Sequence, residues 1–187
     1  MCICVPFLNR EMFITGYEGI FRAYMDGTNF MAIVTGFYAA KKVILDDDSD
    51  RLYWTTSSSI ASSFMNGTGI EYVVYVGFDT EPYGLAKLGD MLYWSDRDAG
   101  KLQRSTITGE DVVTLYNNTN TRIQHLALIP SQDSPDEFRR VNVSNPCKGQ
   151  GCSHICVLRG KSFRCLCPDG LRLAHDQRTC VEGPDMN

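Results

Sequence analysis

The sequence predicts an all-β protein: about three four-stranded blades of a partial β-propeller, followed by a small disulfide-rich domain. Three observations carry this expectation. A pattern of short strands and Gly turns returns in register every forty residues, six of the eight cysteines fall between positions 147 and 180, and helical periodicity is weak throughout. One four-stranded sheet cannot bury both of its faces, so repeats of about 40–45 residues with four strands each stack around an axis.

The repeat aligns on Phe13, Tyr53 and Tyr93. A first apolar strand precedes each: Ile3-Cys4-Val5, Val43-Ile44-Leu45 and Leu85-Ala86. The second strand holds the aromatic: Met12 to Thr15, then Leu52-Tyr53-Trp54-Thr55, then Leu92-Tyr93-Trp94-Ser95. A third follows at Ile20-Phe21-Arg22, Ile60-Ala61-Ser62 and Leu102-Gln103-Arg104. A turn comes next, at Asp26-Gly27, Asn66-Gly67 and Thr108-Gly109, where Gly supplies the positive φ of a tight hairpin. The fourth strand runs over 31–34, 72–76 and 112–116. The units cover about 1–36, 37–78 and 79–122. Residues 123–129 read as the opening strand of another unit, 123–140, so the propeller part spans 1–140 and the cysteine-rich domain 147–180.

Composition narrows the function classes. The chain has 187 residues, 43% hydrophobic and 11% aromatic, which is enough for a core. Its net charge of −4 gives no basic stripe for nucleic acid. No apolar run approaches the ~20 residues of a membrane span. The first residues lack the form of a secretory signal, while the cysteine density points to an oxidising compartment. A fragment of a longer exported protein reconciles the two. Sequons at Asn66, Asn117 and Asn142 are glycosylation candidates that agree with it.

Leu52-Tyr53-Trp54-Thr55 and Leu92-Tyr93-Trp94-Ser95-Asp96 resemble the YWTD repeats of the LDL-receptor family, and Met25-Asp26-Gly27-Thr28-Asn29 resembles that family's recurring turn phrase. The family's propeller closes with six blades. The motif's final Asp, which in the family ties neighbouring blades, is kept as Asp96 but replaced by Gly16 and Thr56, so the middle blade is expected to lose polar inter-blade contacts. The Ser-rich run 57–63 reads as an exposed loop and strand rather than a catalytic site. In the tail, the spacing Cys147-x4-Cys152-x3-Cys156-x8-Cys165-x-Cys167-x12-Cys180 resembles an EGF-like domain. Six cysteines alone allow fifteen pairings. The resemblance implies Cys147–Cys156, Cys152–Cys165 and Cys167–Cys180. Pro146 and Leu158 stand where calcium-binding versions carry ligands, so a calcium-free module is expected.

Other groups read as structural. Cys2 and Cys4 flank Ile3 and read as thiols of the first strand. Asp46, Asp48 and Asp50 imitate the start of a calcium loop, but Arg51 and Ser57 break the pattern, which leaves a solvated acidic turn. His125, His154 and His175 read as structural or solvent-facing histidines. No nucleophile–base set, phosphate loop or metal motif occurs, and neither an enzymatic role nor a cofactor is expected.

The resemblance implies a non-enzymatic ectodomain piece of an LDL-receptor-related endocytic receptor, on the extracellular face of the plasma membrane or endosome. It would act in binding extracellular protein or lipoprotein ligands, or in their pH-linked release. A nidogen-like matrix adhesion role and a Wnt-type co-receptor propeller are the alternatives. Three blades leave outer faces bare, so self-association through the open propeller edge is a further expectation.

Overall fold

The computed structural model describes residues 3–4, 11–36, 40–78, 80–127, 146–149, 151–159 and 162–182. They form sixteen strands and no helix, so no helix is long and apolar enough to cross a membrane. Blade 1 consists of β1 (Ile3–Cys4), β2 (Glu11–Gly16), β3 (Gly19–Tyr24) and β4 (Met31–Thr35). Blade 2 holds β5 (Val43–Asp46), β6 (Arg51–Thr55), β7 (Ser59–Phe64) and β8 (Glu71–Tyr75). Blade 3 holds β9 (Pro82–Leu88), β10 (Met91–Asp96), β11 (Lys101–Thr106) and β12 (Val113–Asn117). Each blade is an antiparallel meander in chain order.

The repeat reaches down to irregularities. The ladder between third and fourth strands shifts register at Ile20/Phe21, Ile60/Ala61 and Leu102/Gln103. A bulge there raises the local twist, and its recurrence gives each blade the same twist. The turn after each third strand is closed by the same backbone bonds: Gly27 N to Tyr24 O, Gly67 N to Phe64 O and Gly109 N to Thr106 O. The left-handed residue two positions beyond is Asn29, Gly69 or Asp111, all types that tolerate that conformation.

Two apolar cores lie between the blades. Phe13, Ile20 and Val34 of blade 1 meet Val43, Leu52, Trp54 and Ala61 of blade 2. Tyr53, Ile60 and Val74 of blade 2 meet Leu85, Leu92 and Trp94 of blade 3. The alternation Leu52–Tyr53–Trp54 explains both: with a period of two, Leu52 and Trp54 face backward and Tyr53 forward. Among the described residues, only blade 2 is covered on both sides by another blade. The forward face of blade 3 is open enough that β12 is exposed along its whole length.

Three sequence expectations are corrected here. The 57–63 run is exposed only at its loop residue Ser57, and its strand part is not: Ser59, Ser62 and Ser63 are all buried in β7. Small hydroxyls fit where blades approach and satisfy themselves locally, Ser63 Oγ donating to Phe64 O and Ser62 Oγ accepting from Arg51. The acidic turn is not fully solvated, because Asp46 is 6% exposed and pairs across to Lys87 of blade 3 at 3.1 Å. Residues 121–127, the described part of the expected opening strand, join no ladder; they pass beside β9, where Leu126 N and Gln124 O crowd Gly84.

The cysteine-rich part has two hairpins, β13 (Ile155–Arg159) with β14 (Ser162–Leu166) and β15 (Leu171–Leu173) with β16 (Cys180–Glu182). Cys2, Asn142 and the Cys4 side chain lie outside the described residues.

Candidate binding surface

The polar ties between blades use the third residue of each motif. Thr15 Oγ1 donates to Lys41 O at 3.3 Å and Thr55 Oγ1 donates to Tyr83 O at 3.4 Å. Both carbonyls belong to the chain entering the next blade. Thr55 Oγ1 also accepts from Lys42 N, and Ser95 Oγ accepts from Gly84 N. Asp96 acts nearer home. Its Oδ1 accepts from Glu81 N, Asp98 N and Ala99 N, and so fixes the entry to blade 3 and the turn after β10. Thr56 replaces it in blade 2 by the same logic, its Oγ1 accepting from Ser58 N and Ser59 N. The middle blade therefore keeps polar ties to blade 3 through Thr55 and Asp46, against the expectation of their loss.

Tyr53, Trp54, Thr55, Trp94, Ser95 and Asp96 are all buried, and Tyr93 is half-buried on the open side of blade 3. Burial, with the Asp46 carboxylate nearby, pushes the Tyr53 phenol above its ordinary range. Apart from Tyr93, these motif residues are packed inside the stack of blades. The surface they support lies at the blade entries. Lys41, Tyr83 and His125 occupy one repeat position, forty-two residues apart each time. Lys41 Nζ lies 5.9 Å from the Tyr83 ring, and His125 meets the same ring edge-on at 6.0 Å. Glu81 receives Lys41 Nζ at 2.5 Å and Arg97 on its other oxygen, while the Arg97 guanidinium sits 5.3 Å over Tyr83. The result is a strip of cation, aromatic ring and imidazole, with the exposed His125 at its end. Sequence reading passed over Lys41, Glu81, Tyr83 and Arg97 because each is ordinary alone. The repeat position shared by Lys41, Tyr83 and His125 was the available signal, and Glu81 and Arg97 offered none.

The sequons fall on open surface where described: Asn66 is exposed in the turn between β7 and β8, and Asn117 is exposed at the end of β12. Disulfides join Cys147 to Cys156, Cys152 to Cys165 and Cys167 to Cys180. His154 Nδ1 bonds the neighbouring Ser153 hydroxyl, and His175 is exposed. Among the described residues no group of three or more His, Cys, Asp or Glu is placed to hold a metal.

No family profile matches the chain. The vitellogenin receptor of Solenopsis invicta is 30% identical over 169 residues, which is 86% of this chain and 9% of that protein. The vitellogenin receptor Yl of Drosophila melanogaster is 31% identical over 167 residues, 86% of this chain and 8% of that protein. Human low-density lipoprotein receptor-related protein 5 is 29% identical over 167 residues, 88% and 10% respectively. The chain thus spans about a tenth of the length of these relatives. Among solved structures, the computationally designed Ika4 protein aligns with TM-score 0.52 at 10% identity, over 69% of this chain and 81% of that one. A nidogen/laminin complex aligns with TM-score 0.44 at 19% identity, over 66% and 65%.

Proposed function

The chain is an LDL-receptor-family partial YWTD propeller followed by an EGF-like module, and from that premise we propose that it serves as a non-enzymatic part of an endocytic receptor's ectodomain. In this reading residues 1–140 are the propeller part and 147–180 the module, held by its three bridges outside the cell or in the endosome. Asn66, Asn117 and Asn142 carry its glycans. The supporting observation is the strip formed by Lys41, Tyr83, Arg97 and His125, in which the entry residues Lys41 and Tyr83 of two neighbouring blades meet each other and His125 meets the same ring. Half-buried cations over an aromatic ring suit an acidic or aromatic protein surface. Release of ligand as pH falls enters this reading through the LDL-receptor family and is assigned to no single group of the strip.

A binding assay tests this. The full chain, secreted behind a supplied signal peptide and immobilised, is exposed to purified vitellogenin and to lipoprotein particles at about pH 7 and about pH 5.5. Binding at the higher pH that weakens at the lower, with Arg97→Ser reducing it, supports the reading. Absence of binding at both values removes the direct ligand role.

The proposal extends to self-association. Met12 and Ile14 on the rear of blade 1 hold the positions of Leu52 and Trp54, and Tyr93 and Leu102 on the front of blade 3 hold those of Tyr53 and Ile60. The interior counterparts are buried, whereas these four are only partly covered. A second copy offers each bare face its matching partner. Light scattering behind a sizing column reads the outcome: a dimer supports it and a dispersed monomer refutes it.

A further inference from the structure

The three turns that follow β3, β7 and β11 share one backbone, yet their side chains differ in charge. In blade 2 the turn residue is Asn66, whose Oδ1 accepts from Thr68 N at 3.0 Å and Thr68 Oγ1 at 2.7 Å. In blade 1 it is Asp26, whose Oδ1 accepts from Thr28 N at 3.0 Å and Thr28 Oγ1 at 2.6 Å. The local task is identical and a neutral amide performs it. The Asp26 carboxylate therefore carries a charge that its own turn does not need. Its Oδ2 is buried and accepts no hydrogen bond. It faces Arg159 Nε at 3.8 Å and Arg164 Nη1 at 3.7 Å, from β13 and β14 of the cysteine-rich module.

A second substitution at the same corner points the same way. In blade 2 the aromatic Phe64 is covered by Arg51 of its own blade, 5.0 Å from the ring. The blade 1 counterparts are Tyr24 and Glu11, which pair across β2 and β3 as Arg51 and Phe64 pair across β6 and β7. Glu11 supplies no cation. Arg159 of the module does, 5.9 Å from the Tyr24 ring. Blade 1 has exchanged Arg for Glu and Asn for Asp at one corner, and the module brings two arginines to it. The Asp26 side chain is wholly covered. Burial by itself would push its carboxyl up; the Thr28 bonds and the two guanidiniums outweigh this and hold it below the usual value.

We propose that the Asp26–Tyr24 corner of blade 1 is the docking site for the β13–β14 hairpin, read by Arg159 and Arg164, and that the charge of Asp26 directs the module to this blade rather than to the Asn66 turn of blade 2. The contact is long for an ion pair and its arginines are half-exposed, so added salt weakens it.

Nitrogen-15 relaxation of the full chain tests this, because it reports whether the module tumbles with the blades. In the wild type at low salt the hairpin and the blades share one correlation time. Asp26→Asn keeps an oxygen for Thr28, as Asn66 does for Thr68, and an unchanged Thr28 amide shift confirms the turn is intact. The variant loses the shared correlation time, as does Arg159→Gln/Arg164→Gln, and combining all three changes adds nothing. Asn66→Asp leaves the coupling as it was. Independent tumbling in the wild type, retained coupling in Asp26→Asn, or an additive loss in the combined variant overturns the proposal.

Discussion

The turn glycines offer a perturbation with an internal control. Gly27, Gly67 and Gly109 hold the same place in the three blades, at φ of 77°, 83° and 84°. Alanine at any of them suffers the left-handed penalty of roughly 1–2 kcal/mol, reduced by up to about 1 kcal/mol because alanine also restricts the unfolded chain. Surroundings then separate them. A Cβ on Gly67 would lie 1.8 Å from Ile33 O of blade 1, and one on Gly109 1.8 Å from Val73 O of blade 2, whereas Gly27 has nothing within 4 Å. Those oxygens belong to backbone and cannot swing aside, so the blades must part. Overpacking of this kind costs about 1–3 kcal/mol, and here the upper end applies. Gly27→Ala should therefore lose about 1 kcal/mol, and Gly67→Ala and Gly109→Ala about 3–4 kcal/mol each. Urea titration followed by the fluorescence of Trp54 and Trp94, both fully buried between blades, measures the difference. Equal losses at the three glycines would refute the claim that the turns pack on the preceding blade.

Further predictions address other ties. Lys87→Met strands the buried Asp46 carboxylate and should cost roughly 3–5 kcal/mol in the same titration, while adding Asp46→Asn recovers much of it. Reduction should unfold the module alone: Cys152–Cys165 and Cys167–Cys180 each close 13 residues, worth about 3 kcal/mol. Amide dispersion over 147–180 should collapse with the fluorescence of both tryptophans unchanged. In acid, Asp176 matters. The Thr179 hydroxyl, then the Thr179 and Arg178 amides, lower its carboxyl from 3.8 to about 2. A lowered folded value stabilises above the unfolded one, so this contribution is complete above pH 3.8 and disappears as pH falls through about 2. Asp176→Asn should flatten the module's acid melting in that window and leave the blades' melting as it was.

The strands were legible because their signal is local and repeated. Leu52-Tyr53-Trp54 shows its alternation within three residues, and its recurrence at 92–94 excludes accident. What escaped depends on partners far along the chain. Asp46 looks solvated in any short window, and only Lys87, from the next blade, makes it a buried group. The serines of β7 look exposed by type, yet small volume suits them to a tight interface. Thr56 looked like a lost aspartate, but a hydroxyl can cap the same turn. The strip at Lys41, Tyr83 and His125 needs the blades stacked before its members meet. Asp26 shows the converse. Its difference from Asn66 is visible in the sequence, but its meaning needs the position of Arg159 and Arg164.

Hydrogen exchange resolved by strand tests the stacking most directly. Among the described residues blade 2 alone has a blade on both faces, so β6 and β7 should exchange slowest, blades 1 and 3 faster, and the exposed β12 fastest of the ladder strands. Uniform protection across the three blades, or slowest exchange in β12, would contradict a stack of blades that stabilise one another only through their shared faces.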